Sequence, residues 1–332
     1  MIQILIILVV LFSIELFYFK LADKFNIIDK PNERSSHTQI TIRGGGILFP
    51  IAWIIYSVAN GFAFPYFTMG ILLVSIISFL DDRMDISSKL RLLIHLFAFT
   101  LCFFELNLFS ILPWWAIMIT YIVSIGCVNA INFMDGINGI TGLYGLAILV
   151  PTYLYFFGKT IHPHFLMYMI LSILVFGFFN FRKKAKCFAG DVGSVSLGYF
   201  LIFLMLGFMF HFWQSNQSEL ILNHSTYNGF DFKYILFLSL YGLDSILTIV
   251  QRLYLKENIF KPHRKHLYQL LANELKIPHL LVSLIYAILQ ILISFYLLNN
   301  EFSNIGIVLS LLIGVILYVI IKIGVLKKIT IR

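Results

Sequence analysis

The chain has 332 residues, of which 60% are hydrophobic and 12% charged, and its mean hydropathy is +0.90. So little polar surface cannot cover a water-soluble globule of this length, which points to a bilayer as solvent. The formal charge of +8 raises the question of nucleic acid, but the basic residues lie between apolar stretches rather than in one patch, and nucleic acid is excluded as a partner.

In chain order, eleven stretches approach the roughly 20 apolar residues that a bilayer span requires. They lie near 1–19, 46–64, 66–80, 92–109, 113–131, 140–157, 165–181, 194–213, 233–250, 279–298 and 304–325. The first begins at Met1 without a basic flank or a small-residue cleavage site, and reads as a retained helix. The expected fold is an all-α, polytopic transmembrane helical bundle of 10–11 helices, forming a single membrane domain over 1–332. Phe and Tyr, at 34 and 17 residues, suit lipid-facing walls and interfacial belts. Cys102, Cys127 and Cys187 show no CxxC spacing and read as packed thiols. Twenty-two of the 24 Lys and Arg residues fall in alternate connections and the C-terminal tail, and only Lys159 and Lys233 fall on the other side. The positive-inside rule then predicts a periplasmic N-terminus and a cytoplasmic C-terminus, with the connections after spans 1, 3, 5, 7 and 9 cytoplasmic.

Four motifs fall on that predicted cytoplasmic side. The first is Asp81-Asp82-Arg83-Met84-Asp85, followed by Ser87, Ser88 and Lys89. Adjacent carboxylates at a membrane interface repel each other unless a cation compensates, so the run reads as a Mg²⁺ and phosphate centre or, more plainly, as a capped loop. In the second, Asn129, Asn132 and Asp135 recur at spacing three and share a face if their helix runs that far; Gly136, Asn138, Gly139 and Gly142 follow. The alternative is a Gly-rich packing seam with polar glue. The third, Gly190-Asp191-Val192-Gly193-Ser194, opens a span with an Asp that reads as a metal ligand or a helix cap. The fourth, Pro262-His263-Arg264-Lys265-His266-Leu267-Tyr268-Gln269, can grip a pyrophosphate or contact anionic lipid heads. Two weaker features are Asp244, an intramembrane carboxylate, and Ser35-Ser36-His37 with Arg43 and Gly44 to Gly46. His95 reads as a bland core residue.

These motifs, in this order over about 35–270, resemble the polyprenyl-phosphate N-acetylhexosamine-1-phosphate transferase superfamily, glycosyltransferase family 4. The resemblance implies catalytic Asp81, Asp82, Lys89, Asp135 and His266, and substrate-binding Asn129, Asn132, Asn138, His263 and Arg264. It implies Asp191 and Asp135 as ligands of Mg²⁺, with Mn²⁺ as substitute. It further implies UDP-N-acetylhexosamine and undecaprenyl phosphate as substrates, UMP as product, and a multi-pass place in the bacterial inner membrane, and leaves room for a homodimer. Asn138 stands where relatives carry a second Asp, and the fourth motif differs from the triple His of the peptidoglycan branch. It is similar instead to O-antigen initiators using GlcNAc, QuiNAc or FucNAc donors. Two rivals remain: an intramembrane prenyltransferase, since Asp81, Asp82 and Asp85 also spell DDxxD, and an ion-coupled transporter using Asp244.

Overall fold

A computed structural model describes residues 2–31, 39–84, 86–157, 164–210, 212–213, 230–259 and 263–330. The helices are α1 (Ile2–Lys24), α2 (Leu48–Ala59), α3 (Pro65–Asp81), α4 (Ser88–Glu105), a single turn α5 (Leu108–Ile111), α6 (Trp114–Met134), α7 (Ile140–Phe156), α8 (His164–Asn180), α9 (Gly190–Met209), α10 (Ser239–Tyr254), α11 (His279–Asn299) and α12 (Asn304–Thr330). A helix stands at each of the eleven expected spans, so the all-α polytopic bundle is the observed architecture. Among the described residues, six helical stretches are long and apolar enough to cross a bilayer, and four more helices are apolar but shorter.

α9 is the axis of the bundle, and every residue from Val192 to Met209 is buried. Its two halves pack differently because their side chains differ in size. In the first half Gly193 lies against Gly46, and Gly198 against Ile131 of α6, so backbones approach closely. The hydroxyls of Ser194 and Ser196 bond back to the carbonyls of Gly190 and Val192, which removes their cost in an apolar setting. In the second half Phe67 of α3 stacks between Tyr199 and Phe203, with ring centroids at 4.9 and 3.8 Å. Trp53 of α2 meets the same cluster edge-on and donates its indole N–H to Thr68 at 2.9 Å.

A two-stranded ribbon, β1 (Ile28–Asp29) with β2 (Thr41–Ile42), ties the first connection to the segment before α9. Phe188 N–H donates to the Ile42 carbonyl at 2.8 Å, and Gly45 N–H to the Phe188 carbonyl at 2.8 Å. Tyr18 of α1 donates to the Arg43 carbonyl at 2.6 Å. Together these bonds deliver Arg43 to the start of α9. Lys322, counted from sequence as a positive anchor, instead points inward and is 6% exposed.

Candidate active site

Gly190, at φ 70°, turns the chain into α9 with a left-handed backbone that a side chain would strain. The first turn of α9 carries unpaired N–H groups, and Asp82 at the end of α3 satisfies two of them. Its Oδ1 accepts from Asp191 N–H at 2.9 Å and its Oδ2 from Val192 N–H at 3.1 Å. The helix is therefore capped, but from 109 residues away rather than by its own Asp191. Arg43 bridges the two acids, with Nε 2.6 Å from Asp82 and a guanidinium nitrogen 3.3 Å from Asp191. Burial, and then the Asp191 charge, push the Asp82 carboxyl up to about 6 despite Arg43 and the two N–H donors. Asp135, one residue past the end of α6, accepts from Thr141 at 2.6 Å. Burial pushes its carboxyl up to about 7, with Asp191 and Asp82 adding to the rise. Asp82 and Asp191 thus share Arg43, and Asp135 lies close enough to feel the charge of both. No trio of His, Cys, Asp or Glu forms a ready metal cage among the described residues.

Beside these acids opens a cavity of about 660 Å³. Asp81, Asp191, Asn129, Asn132, His263 and His266 all line it, so the structure brings together residues from all four motifs. Asn132 accepts from Ser194 at 2.8 Å, which fixes its amide at the rim. Asp81 pairs with Arg91 and accepts from Ile86 N–H at 3.1 Å. His263 packs on His266 with ring centroids 4.8 Å apart. Partial burial, then the neighbouring His266 and Arg252, push His263 down to about 4, which makes it a neutral imidazole near pH 7.

Five assigned residues are placed elsewhere. Asp82 and Asp135 stand behind the wall, bonded as above. Lys89 is exposed and off the cavity, one position round the helix from Ser88. Arg264 is half-buried and not on the wall. Asn138 lies in a separate recess of about 560 Å³ with Phe188, Lys183, Lys184 and Lys276, and donates to the Arg182 carbonyl at 2.9 Å. Ser35 to His37 and Asp85 lie outside the described residues.

Arg91, His95, Arg252 and Gln269 line the cavity and were not assigned from sequence. A signal for three of them existed. Ser88, Arg91 and His95 stand at i, i+3 and i+7 of α4 and share one face, while Lys89 does not. Ser245, Ile249 and Arg252, at i, i+4 and i+7, likewise share one face of α10. Arg252 also folds the following loop back over the site, donating to the carbonyls of Asn258 at 2.5 Å and Ile259 at 3.0 Å.

Residues 64–209, which carry the first three motifs, match the family model described as glycosyl transferase family 4. A probable undecaprenyl-phosphate N-acetylglucosaminyl 1-phosphate transferase of Bacillus subtilis (strain 168) is 26% identical over 204 residues, 56% of this chain. The match spans 57% of that relative's length. Through residues 64–209, somewhat under half of its length, the chain is similar to glycosyl transferase family 4.

Proposed function

We propose that the chain transfers an N-acetylhexosamine 1-phosphate from a UDP-sugar to undecaprenyl phosphate, at the cytoplasmic face of a bacterial inner membrane. The observation that carries the reading is the convergence of Asp81, Asp191, Asn129, Asn132, His263 and His266 on one cavity, with Arg91 and Arg252 on the same wall. Acids that cluster only with cationic company suit a phosphate site better than a proton path. A lipid phosphate oxygen attacks the donor's β-phosphorus, the anhydride bond to the α-phosphate breaks, and UMP leaves with that bonding pair. The products are undecaprenyl-pyrophosphoryl-sugar and UMP. Arg91 and Arg252 offset charge on the phosphate oxygens, Asn129 and Asn132 hold polar groups of the donor, and His266 handles a phosphate proton.

Asp191 and Asp135 would hold Mg²⁺. That ion is usually bound by one or two carboxylates with water and substrate phosphate, so Asp191 on the cavity wall, with Asp135 close enough to feel its charge, fits it. When bound it would supply charge neutralisation at the pyrophosphate. The recess beside Asn138 and Phe188, with its three lysines, fits the nucleotide end of the donor. The HRKHLYQ motif favours a GlcNAc, QuiNAc or FucNAc donor and the start of O-antigen or a related surface polysaccharide. The test is UMP release by purified protein with Mg²⁺, undecaprenyl phosphate and each UDP-sugar in turn. Asp191→Ala is expected to lower the rate at least about 100-fold, the loss of an electrostatic element of the transition state. An unchanged rate would sink the metal assignment.

A further inference from the structure

Asp244, in the middle of α10, is 0% exposed and has no part in the transfer outlined above. Its oxygens face the turn that carries His266. Oδ1 accepts from Leu267 N–H at 2.9 Å, and Oδ2 from Tyr268 N–H at 3.4 Å. Oδ1 also lies 3.4 Å from His266 Nδ1, on a ring that borders the cavity. From the opposite side Tyr286 of α11 donates to Oδ2 at 2.8 Å, and Tyr318 of α12 to Oδ1 at 2.9 Å. Thr248 approaches Oδ1 at 3.3 Å, and the Lys322 ammonium reaches Thr248 and Tyr318, each at 2.9 Å. The titratable groups facing the pair are therefore His263, Tyr268, Arg252, Tyr286, Tyr318 and Lys322.

A carboxylate so fully occupied by donors has no lone pair left for a travelling ion, which removes the basis of the transporter reading. A lone pair on His266 Nδ1 would be repelled by Asp244 Oδ1, whereas a proton there is attracted. His266 Nδ1 is buried and makes no hydrogen bond of ordinary geometry, so the carboxylate 3.4 Å away favours the tautomer with hydrogen on Nδ1 and leaves Nε2 as the acceptor.

We propose that Asp244 is a positioning residue: it seats the turn from His266 to Tyr268 at the cavity rim, fixes the His266 tautomer, and is itself held by Tyr286 and Tyr318. α11 and α12, which lie outside the matched segment, thereby become part of the site. The seat stands on geometry, and its kinetic consequence rests on the transferase reading.

Two measurements on the full chain in detergent separate these. ¹⁵N-histidine NMR, with His266 assigned by its loss in His266→Gln, should show the Nδ1–H tautomer, and Asp244→Asn should shift it toward Nε2–H. An unshifted His266 in Asp244→Asn overturns the proposal whatever the activity. In the UMP assay Asp244→Asn should lower kcat about 10- to 100-fold, with KM for the UDP-sugar within about threefold, as for other residues that orient a functional imidazole. In a His266→Gln background the same substitution should cost less than about threefold more, because the two groups act as one unit. Losses that multiply would mark a merely structural role and overturn the proposal. If the wild type turns over no UDP-sugar, the transferase reading falls, and the NMR result still decides the seat. Should Asp244→Asn fail to fold, Tyr318→Phe removes one donor from the carboxylate. It should move the His266 signal and lower kcat about threefold, and no change in either overturns the proposal.

Discussion

The carboxylate of Asp82 is committed to Arg43 and to the first turn of α9, so its work is architectural as much as chemical. Asp82→Asn keeps the shape but leaves fewer acceptors for buried donors, and should lower stability by about 1–3 kcal/mol in a denaturation experiment. Asp191→Ala, 22% exposed at its side chain, should leave stability nearly unchanged while removing transfer. Asp82 and Asp135, raised to about 6 and about 7, also set a pH dependence. A carboxyl is anionic only above its pKa, so a site that needs both anions loses activity as pH falls from 7 toward 6. At low Mg²⁺ the acid limb of UMP release should lie between those values and move lower as Mg²⁺ saturates; a limb near pH 4 at low Mg²⁺ contradicts this. Residue types at the site were legible in the sequence and their partners were not. No local spacing joins Asp82 to Asp191, and Arg91 read as a topology marker because its place on the α4 face shows only once Ser88 and His95 are set beside it.

At the scale of elements, apolar runs located the long helices among the described residues, because burial of backbone groups in a bilayer leaves helices as the available solution for these runs. Their ends were harder to read. α9 starts at Gly190 instead of near 194, since its N-terminal turn is capped by a distant acid rather than by the local sequence. A Cβ on Gly193 would stand 2.7 Å from the Gly46 Cα, a backbone atom that cannot swing aside. Gly193→Val should therefore cost about 1–3 kcal/mol and lower transfer, since the same approach places Arg43 beside Asp82. Native thermal stability and transfer in that variant would contradict the packing account. Lys322 misled for a related reason: within a long apolar run a lysine reads as a snorkelling anchor, and only the fold shows Thr248 and Tyr318 waiting for it.

For the whole molecule, the charge count implies an orientation that can be measured. Lys328 and Glu301 are exposed near opposite ends of α12. With the proposed topology, Lys328→Cys should resist a membrane-impermeant maleimide in intact cells, and Glu301→Cys should react; the reverse pattern would invert the assignment. The central claim is transfer of a sugar together with one phosphate, and the most direct measurement follows that phosphate. With a UDP-N-acetylhexosamine labelled at the β-phosphate, undecaprenyl phosphate and Mg²⁺, the label should pass into the lipid extract as unlabelled UMP appears in equal amount. Label that stays in water-soluble nucleotide with every donor sugar would contradict the account.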